Sequence, residues 1–526
     1  MNPPGAPISA GARRRLPDNL PDAISAALLA VLACGLALEA LLSLGWRMQH
    51  DAPLMLYLAR MATDLHRVMY RDIVDVNMPG TYLVNAIVLH VFGTSDLAFR
   101  CADLLYLAAI LAATARAAAP FGTRAACGTA AIAGTMYLSH GAIMSLQREV
   151  LVLLPLALAL AAWSTEKLAP GTRWFLVGLF FGLAATVKPP AALGLPIAIL
   201  WTAGPSRRWF ARVVLGAAGF VVPIAAMAAF LAASGGLAGF VDMARNYWPL
   251  YAQIDAGNRV PEAGRRAHTL ALCFRWSLWN LRLWLLPAAA GLANALLHRG
   301  LDARRRRLAA LAGMLVVAYS LYAAVEGRFW EYHLIPFSYF LAFASALALV
   351  PRPRTEPGPV RALPAMALLA ALVLGVVAPP DEIRLRLRGE PIPPPKGGKV
   401  DAIAAYLRDH LAPGDTVQPL DWSGGAVHAM LIARATIATS FIYDHYFYHH
   451  VSTSYIQGLR RRFIEELTRA RPRFIVQITA NKPWVTGRDT TKSFDELDRI
   501  LRDDYRVAVA GNGFVIHERR GAAAVP

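Results

Sequence analysis

The stretch that decides the fold is the first polar segment after the first long apolar run: His50-Asp51, and further on Tyr70-Arg71-Asp72-Ile73-Val74-Asp75-Val76-Asn77-Met78-Pro79. The carboxylate of Asp51 stands directly at the exit of an apolar helix, and acidic, basic and aromatic residues follow it closely. Polar groups at the face of a bilayer are costly to desolvate, so a cluster of them there indicates a functional site. The segment therefore predicts a site at one membrane face.

The composition around this segment is that of a polytopic membrane protein. The chain has 526 residues, 56% hydrophobic and only 17% charged, with a mean hydropathy of +0.40. Soluble domains carry roughly 25% charged residues. The net charge of +18 comes from short loops between apolar runs, where insertion topology and anionic headgroups explain it, so no nucleic-acid partner is expected. All four cysteines lie in or beside apolar segments, which argues against disulfides and thiolate metal sites.

The distribution of basic loops predicts the topology. Candidate spans lie near 24–46, 101–118, 126–144, 151–165, 173–187, 190–204, 211–233, 272–297, 307–325, 333–350 and 361–379. With about eleven crossings of a core that is about 30 Å thick, the basic loops all share one side. These loops hold Arg13–Arg15, Arg116 with Arg124, Lys167 with Arg173, Arg207, Arg208 and Arg212, Arg299 with Arg304–Arg307, and Arg352, Arg354 and Arg361. By the positive-inside rule that side is cytoplasmic, so the N-terminus is expected in the cytoplasm and the C-terminus in the periplasm.

Two apolar segments need separate treatment. The first run follows Arg13–Arg15 but is too long for a signal-peptide core, and we interpret it as a retained helix. Residues 81–92 are apolar but short for a span, and a crossing there would move every later basic loop to the other side. We therefore expect 81–92 to lie on the membrane as an interfacial helix.

We divide the chain into a transmembrane module over 1–380, a linker over 381–398 that is rich in proline and glycine, and an α/β domain over 399–526. Alternating helical and strand patterns in the last part favour a partly parallel sheet. Helices are expected at 400–411, 426–434, Ser454–Ala470 and 493–504, and strands at Thr416–Leu420, 435–443, 473–479, 506–510 and 513–518.

Each polar motif of the membrane module also allows a structural interpretation. Asp51 could cap the helix that starts near Ala52 or take a proton from an acceptor hydroxyl. Arg71 could pair locally with Asp72 or Asp75, or the loop could frame a pocket.

Cations also recur in short turns at the same membrane face. The turns Gln147-Arg148-Glu149 and Lys188-Pro189-Pro190 could place snorkelling charges, or cations suited to a phosphate. The segment from Glu326 to His333 could be an aromatic belt or a headgroup-binding rim.

Histidines of the last domain suggest metal ligands at first sight. Asp444-His445 and His449-His450 are loosely spaced, however, no cysteine joins them, and aromatic residues are interleaved. A surface loop rich in histidine, or a lid against the membrane, is the better interpretation. Gly424-Gly425 lacks the spacing of a dinucleotide fingerprint.

Taken in order, these features resemble the C-fold membrane glycosyltransferases, in particular the protein O-mannosyltransferases and the bacterial aminoarabinose transferases of lipid A. In that family an aspartate follows the first span and a tyrosine–arginine–aspartate stretch ends in proline, as Asp51 and the segment from Tyr70 to Pro79 do here. The resemblance covers roughly residues 20–350. The chain departs from the family at Gln147-Arg148-Glu149, where many relatives carry a second acidic residue, and at Asn77-Met78, where some have Glu-Lys.

The resemblance implies an inverting glycosyltransferase of the bacterial inner membrane. It would move a sugar from a polyprenyl-phosphate donor to a glycan, lipid or protein acceptor of the envelope on the periplasmic face. Asp51 would be the general base. Donor-phosphate contacts are expected from Lys188, Arg148, Tyr332 and His333, and a pocket lining from Tyr70, Arg71, Asp72, Asp75, Tyr82, Glu149 and Arg328. No cofactor is expected; a divalent metal is possible, but no motif indicates one.

Two other classes of function stay open at this point. A transporter or flippase of lipid-linked sugars would be expected to carry charges at mid-membrane and broken helices in repeated halves, whereas here the charges cluster at one face. A non-catalytic assembly protein for envelope polysaccharide is the second alternative.

Overall fold

The computed structural model describes residues 20–201, 209–255, 257–261, 264–374, 379–478, 482 and 485–521. The basic residues Arg13–Arg15, Arg207 and Arg208, on which part of the predicted topology rests, lie outside the described residues. The helices before the linker are Leu20–Leu42, Ala52–Thr63, Pro79–Phe92, Asp96–Ala118, Thr123–Ser139, Arg148–Leu151, Leu153–Ser164, Pro170–Val187, Gly194–Leu200, Trp209–Ser234, Leu237–Asp242, Trp248–Tyr251, Arg266–Asn280, Arg282–Leu296, Ala303–Ser320, Tyr322–Glu326, Ile335–Ala346 and Gly358–Val373.

The helical bundle is that of a multi-pass membrane protein. In the described part of the chain six helical segments are long and apolar enough to cross a membrane: Pro21–Gly45, Asp96–Phe121, Pro170–Val187, Trp209–Ser234, Ala303–Glu326 and Glu331–Leu349. Other predicted spans correspond to shorter helices, and 272–297 is divided into Arg266–Asn280 and Arg282–Leu296. The number of eleven crossings therefore stays a prediction.

Burial separates the central helices from the peripheral ones. Nearly all side chains of Glu331–Leu349 are buried, whereas most of Trp209–Ser234 presents apolar side chains outward, as a lipid-facing helix requires. Trp209–Ser234 packs closely on Pro170–Val187. The approach is so close that a Cβ atom added to Gly178 would lie only 1.9 Å from the carbonyl oxygen of Gly216. Small residues at such a contact allow the two backbones to approach each other.

The first polar loop is an ordered layer at one end of the bundle. It begins with the buried helix Ala52–Thr63 and ends with Pro79–Phe92. The latter has 14 residues, a length of roughly 21 Å at 1.5 Å per residue, which is short of the hydrocarbon core. The helix predicted for 81–92 is thus present, and its interfacial placement stays a prediction.

Residues after the linker form a five-stranded mixed sheet with flanking helices. Its strands are Thr416–Leu420, Thr436–Ile437, Phe474–Gln477, Tyr505–Gly511 and Phe514–Arg519, and its helices are Lys399–His410, Ala426–Ile432, Ser454–Ala470 and Asp495–Asp503. A further short helix, Asp381–Leu387, lies within the linker. Thr416–Leu420 pairs in parallel with Thr436–Ile437 and with Phe474–Gln477. The last two strands add antiparallel pairs beyond Phe474–Gln477. The elements agree with the predicted pattern within a few residues, except at 435–443.

The predicted strand over 435–443 is wrong beyond its first residues. Only Thr436–Ile437 joins the sheet. The following backbone instead bonds to the first polar loop: the Val74 amide donates to the Ser440 carbonyl at 2.9 Å, and Arg67 donates to the Thr439 and Ile437 carbonyls. The backbone carbonyls of Thr439 and Ser440 therefore accept hydrogen bonds from the first polar loop instead of from a neighbouring strand of the sheet.

This contact joins the last domain to the membrane module over a wide area. Tyr57 and Arg60 donate to the Ala435 carbonyl at 2.7 and 2.9 Å, and Arg47 forms a two-bond pair with Asp401. A short parallel ladder between Arg259–Val260 and Thr486–Gly487 adds a third connection.

Candidate active site

Asp51 lies buried immediately before the helix Ala52–Thr63, but it does not cap that helix. Its side chain accepts no hydrogen bond from the first turn. One carboxylate oxygen lies 3.0 Å from His50 Nδ1, and the other lies 3.4 Å from Arg148 Nη2. The capping role considered for Asp51 is therefore wrong, and its carboxylate faces cationic or protonatable groups instead.

The surroundings of Asp51 keep it ionised. Burial raises the pKa of the carboxyl, but His50 and the Arg148 guanidinium outweigh burial and lower the pKa to about 2. Burial also acts against the charge of Arg148, yet Glu149 and Asp51 raise the pKa of the guanidinium. The two groups therefore form a charged pair at neutral pH.

Arg148 connects Asp51 to the first polar loop. Its guanidinium donates a short hydrogen bond to Asn77 Oδ1, and Asn77 Nδ2 donates to both oxygens of Asp75 at 2.8 and 3.0 Å. Asp75 is fully buried and also accepts from the hydroxyls of Tyr82, at 2.9 Å, and Tyr443. Burial raises the pKa of Asp75, whereas these hydrogen bonds lower it.

A second cluster of buried charges lies beside Arg148. Lys188 Nζ lies 2.9 Å from Glu149 Oε1 and 2.7 Å from Glu326 Oε2. His333 Nε2 lies 3.5 Å from Glu149 and 3.1 Å from Glu326. These four residues come from three distant parts of the sequence and meet at one end of the bundle.

The same cluster has the ligand types of a metal site. Ligand atoms of Glu149, Glu326 and His333 lie within 4.8 Å of one another. The Lys188 ammonium, however, already contacts both carboxylates and supplies the positive charge that a cation would bring. The two carboxylates therefore pair with the Lys188 ammonium as an ion-pair network.

A cavity of about 230 Å³ joins these groups. It is lined by Val76, Asn77, Met78, Arg148, Val187, Lys188, Pro189, Pro190, Trp248, Tyr251, Ala252, Glu326, Arg328, Tyr332 and His333. Three cations thus reach one space, Asn77, Glu326 and His333 add further polar groups, and apolar and aromatic side chains form the remaining wall. The four residues expected to contact a donor phosphate, Lys188, Arg148, Tyr332 and His333, all line it, and so does Arg328.

Other residues expected in the pocket lie elsewhere. Arg71 is largely exposed and pairs with Asp72 at 2.8 Å, and Asp72 also accepts from the Val68 amide. These two form a surface pair, so their expected place in the pocket lining is wrong. Tyr70, Tyr82 and Asp75 do not reach the cavity surface either. They lie behind Asn77, whose carbonyl accepts from the Tyr70 hydroxyl at 2.5 Å.

Sequence reasoning missed three contributors to the site. Trp248 and Tyr251 line the cavity, and the Arg328 guanidinium lies 3.6 Å from the Tyr251 ring centre. Both aromatics belong to a polar loop between long helices, which was a usable signal. Tyr443 carried no such signal, because it contacts Asp75 from the far end of the chain.

The histidine-rich segment of the last domain is not a surface loop. His445, His449 and His450 are buried. His449 Nε2 lies 2.8 Å from the Asn258 carbonyl, and the His445 ring packs 5.8 Å from the ring of Tyr251. Burial holds the pKa of His445 well below its usual range. The segment thus packs as a buried wall over the loop that carries Tyr251.

The chain resembles known proteins in its fold, although not in its sequence. No family model and no curated protein sequence matches the chain. Two solved structures of ArnT from Cupriavidus metallidurans match with a TM-score of 0.56 and 13% identity. The apo structure is matched over 96% of this chain and 100% of ArnT, and the structure with bound undecaprenyl phosphate over 95% and 99%.

A further match is the archaeal oligosaccharyltransferase AglB from Archaeoglobus fulgidus, with a TM-score of 0.45, 12% identity, and coverage of 86% of this chain and 69% of AglB. ArnT is a lipid A aminoarabinose transferase, and both proteins have the C-type glycosyltransferase fold. The fold expected from the resemblance is confirmed: this chain has the polytopic fold of the C-fold membrane glycosyltransferases.

Proposed function

We propose that this protein is an inverting glycosyltransferase that transfers a sugar from a polyprenyl-phosphate donor to an acceptor of the cell envelope. One observation carries the proposal: the buried, ionised carboxylate of Asp51 pairs with Arg148, and Arg148 lines a cavity that has both polar and apolar walls. A general base next to the binding place of an anionic leaving group is what this reaction requires. The fold shared with ArnT supports the same class of reaction.

The donor fits the cavity through two kinds of contact. Its phosphate would meet Arg148, Lys188 and Arg328, because guanidinium and ammonium groups are the preferred protein partners of phosphate. Its lipid chain would leave along the apolar lining at the membrane end of the bundle. ArnT binds undecaprenyl phosphate in one of its solved structures, and we extend that ligand class to this chain.

In the transfer step, an acceptor hydroxyl attacks the anomeric carbon opposite the phosphate. The new carbon–oxygen bond forms as the bond to the phosphate oxygen breaks, so the configuration inverts. The acceptor proton passes to Asp51, and the polyprenyl phosphate leaves with the bonding electron pair. Arg148, Lys188 and Arg328 stabilise the charge that develops on it, which is usually the largest single contribution to catalysis.

The low pKa of Asp51 links base strength to donor binding. With Arg148 as its partner, the carboxylate is ionised but only weakly basic. A phosphate that takes up the charge of Arg148 would raise the pKa of Asp51 toward the range in which a carboxylate accepts a proton. Asp51 would therefore become an effective base only when the donor is in place.

The acceptor would approach from another side. A larger cavity of about 590 Å³ is lined by Gln49 and by linker residues between Asp381 and Lys396, and it shares no lining residue with the donor cavity. A smaller cavity beside it includes His50 and Lys396. An acceptor that enters here would approach the side of Asp51 on which His50 lies, where the base is needed. We place the site, the linker and the last domain on the periplasmic side of a bacterial inner membrane.

The test is complementation of a deletion strain, followed by mass-spectrometric profiling of its lipid A, glycans and glycoproteins. The wild-type gene should restore one missing sugar. Asp51→Asn keeps the size but removes the base, and turnover should fall by roughly 10²-fold or more. Asp64→Asn, an exposed carboxylate at the other end of the same helix, should restore the sugar fully.

Sugar transfer needs a base at this position, whereas an assembly protein does not, and a transporter would add no sugar to the acceptor. Full restoration by an Asp51→Asn protein at normal membrane abundance would therefore exclude the proposed reaction.

A further inference from the structure

The last domain contributes one side chain to the hydrogen-bonded path that ends at Asp51. Tyr443 is buried, and its hydroxyl donates to Asp75 Oδ1 across the contact between the two parts of the chain. The same hydroxyl lies 3.4 Å from Asn77 Nδ2. A phenylalanine ring would fill the same space but would remove this hydrogen bond from the buried Asp75 carboxylate.

The donor and acceptor types along the path permit only one arrangement. An ionised carboxylate can only accept hydrogen bonds, so Asp75 directs Nδ2 of Asn77 toward itself. The Oδ1 atom of Asn77 must then face Arg148, whose guanidinium can only donate. If the Asn77 amide were flipped, its oxygen would face the Asp75 carboxylate and its NH2 group would face the Arg148 guanidinium, and neither pair could form a hydrogen bond.

We propose that Tyr443 is a positioning residue for the transfer reaction: through Asp75 and Asn77 it holds Arg148 in place against Asp51. This inference rests on the proposed function. It makes the last domain a working part of the active site, since the site lacks one of its supports without that domain.

The charge state of Asp75 gives this path a measurable property. The groups that face Asp75 are Tyr70 and Tyr82 from the loop and its following helix, Tyr443 and Tyr446 from the last domain, and Arg148. Burial raises the pKa of Asp75, and the Tyr443 hydrogen bond acts against that rise. Loss of the hydroxyl must therefore raise the pKa further, and a protonated Asp75 no longer fixes the orientation of Asn77.

The test compares Tyr443→Phe with Tyr57→Phe in a transfer assay over a range of pH. Tyr57 is a matched control, because its buried hydroxyl also crosses the domain contact, at 2.7 Å from the Ala435 carbonyl, but does not touch Asp75. We expect Tyr443→Phe to lower kcat by about tenfold to 10²-fold, the scale of small misplacements in an active site. The acidic limb of its kcat profile should move up by about one pH unit, as expected for one lost hydrogen bond to a carboxylate.

The Tyr57→Phe protein should keep the kcat and the pH profile of the wild type. If both variants behave alike, Tyr443 only helps to dock the domain, and the positioning role is wrong while the proposed function stands. If the wild type itself releases no polyprenyl phosphate, the proposed function fails first.

A double-mutant cycle adds an independent readout. Asn77→Ala cuts the path one step further along, so Tyr443→Phe should have little additional effect on kcat in that background. Full additivity of the two effects would overturn the path. If Tyr443→Phe does not fold, Asn77→Ala alone decides: a kcat equal to that of the wild type would contradict the proposal.

Discussion

Lys188 pairs with two carboxylates in this site, and we propose that it also binds the donor phosphate; one pair of variants distinguishes the two roles. Its ammonium is nearly buried and lies between Glu149 and Glu326, of which the first is fully buried and the second nearly so. Lys188→Met keeps the length of the side chain but removes the ammonium from between the two carboxylates. Removing one partner from a buried ion pair costs about 3–5 kcal/mol. The variant should therefore unfold several degrees below the wild type.

A second change should repair this loss without restoring the phosphate contact. Glu326→Gln, added to Lys188→Met, removes one of the two facing charges and lets the amide donate a hydrogen bond to Glu149. Most of the lost stability should return. Binding of undecaprenyl phosphate should stay weaker by about 10- to 100-fold, since one charge-assisted hydrogen bond contributes about 1.5–3 kcal/mol.

Thermal unfolding in detergent measures the first quantity, and native mass spectrometry with undecaprenyl phosphate measures the second. Lys167→Met is the control, because Lys167 is an exposed lysine in the loop before Pro170–Val187. If the double variant recovers both stability and phosphate binding, Lys188 serves the ion-pair network alone. A Lys188→Met protein as stable as the wild type would contradict the burial argument itself.

Two further predictions concern Arg148 and the topology. Arg148→Gln should weaken donor binding and, because Arg148 lowers the pKa of Asp51, should raise that pKa; a plot of kcat/KM against pH should then fall at a higher pH on acidification than it does for the wild type. A reporter that is active only in the periplasm should be active when fused after Pro526, and activity of a cytoplasmic reporter at that position would refute the predicted topology.

Much of the fold could be predicted from the sequence, because its signals are local. Apolar runs located the membrane helices, and the alternation of helix and strand patterns located the elements of the last domain: Ser454–Ala470 and Thr416–Leu420 have the predicted bounds. The interfacial placement of Pro79–Phe92 and the number of crossings depend on the membrane itself, and both stay predictions.

The site could be predicted only as a set of residue types at one face. Arg148 and Lys188 were chosen because cations in tight turns suit a phosphate, and the structure brings both to one cavity. The pairing of Lys188 with Glu326 could not be read from the sequence, since the two residues are 138 positions apart. In the sequence, Arg71 and Asp72 could not be distinguished from the neighbouring polar residues as pocket candidates. In the structure they form an ion pair with each other at the surface.

The charges of the cavity explain why these long-range pairs are needed. A donor site must present cations to a phosphate, but a buried cation without a partner is costly whenever no donor is bound. Here each cation of the pair Arg148 and Lys188 has a carboxylate beside it: Asp51 for the first, and Glu149 with Glu326 for the second. Bound phosphate would compete with these carboxylates, and the one that Arg148 would release is Asp51, the proposed base. The Asp51–Arg148 pair would then have two effects: it would stabilise the protein when no donor is bound, and it would release Asp51 to act as a base when the donor binds.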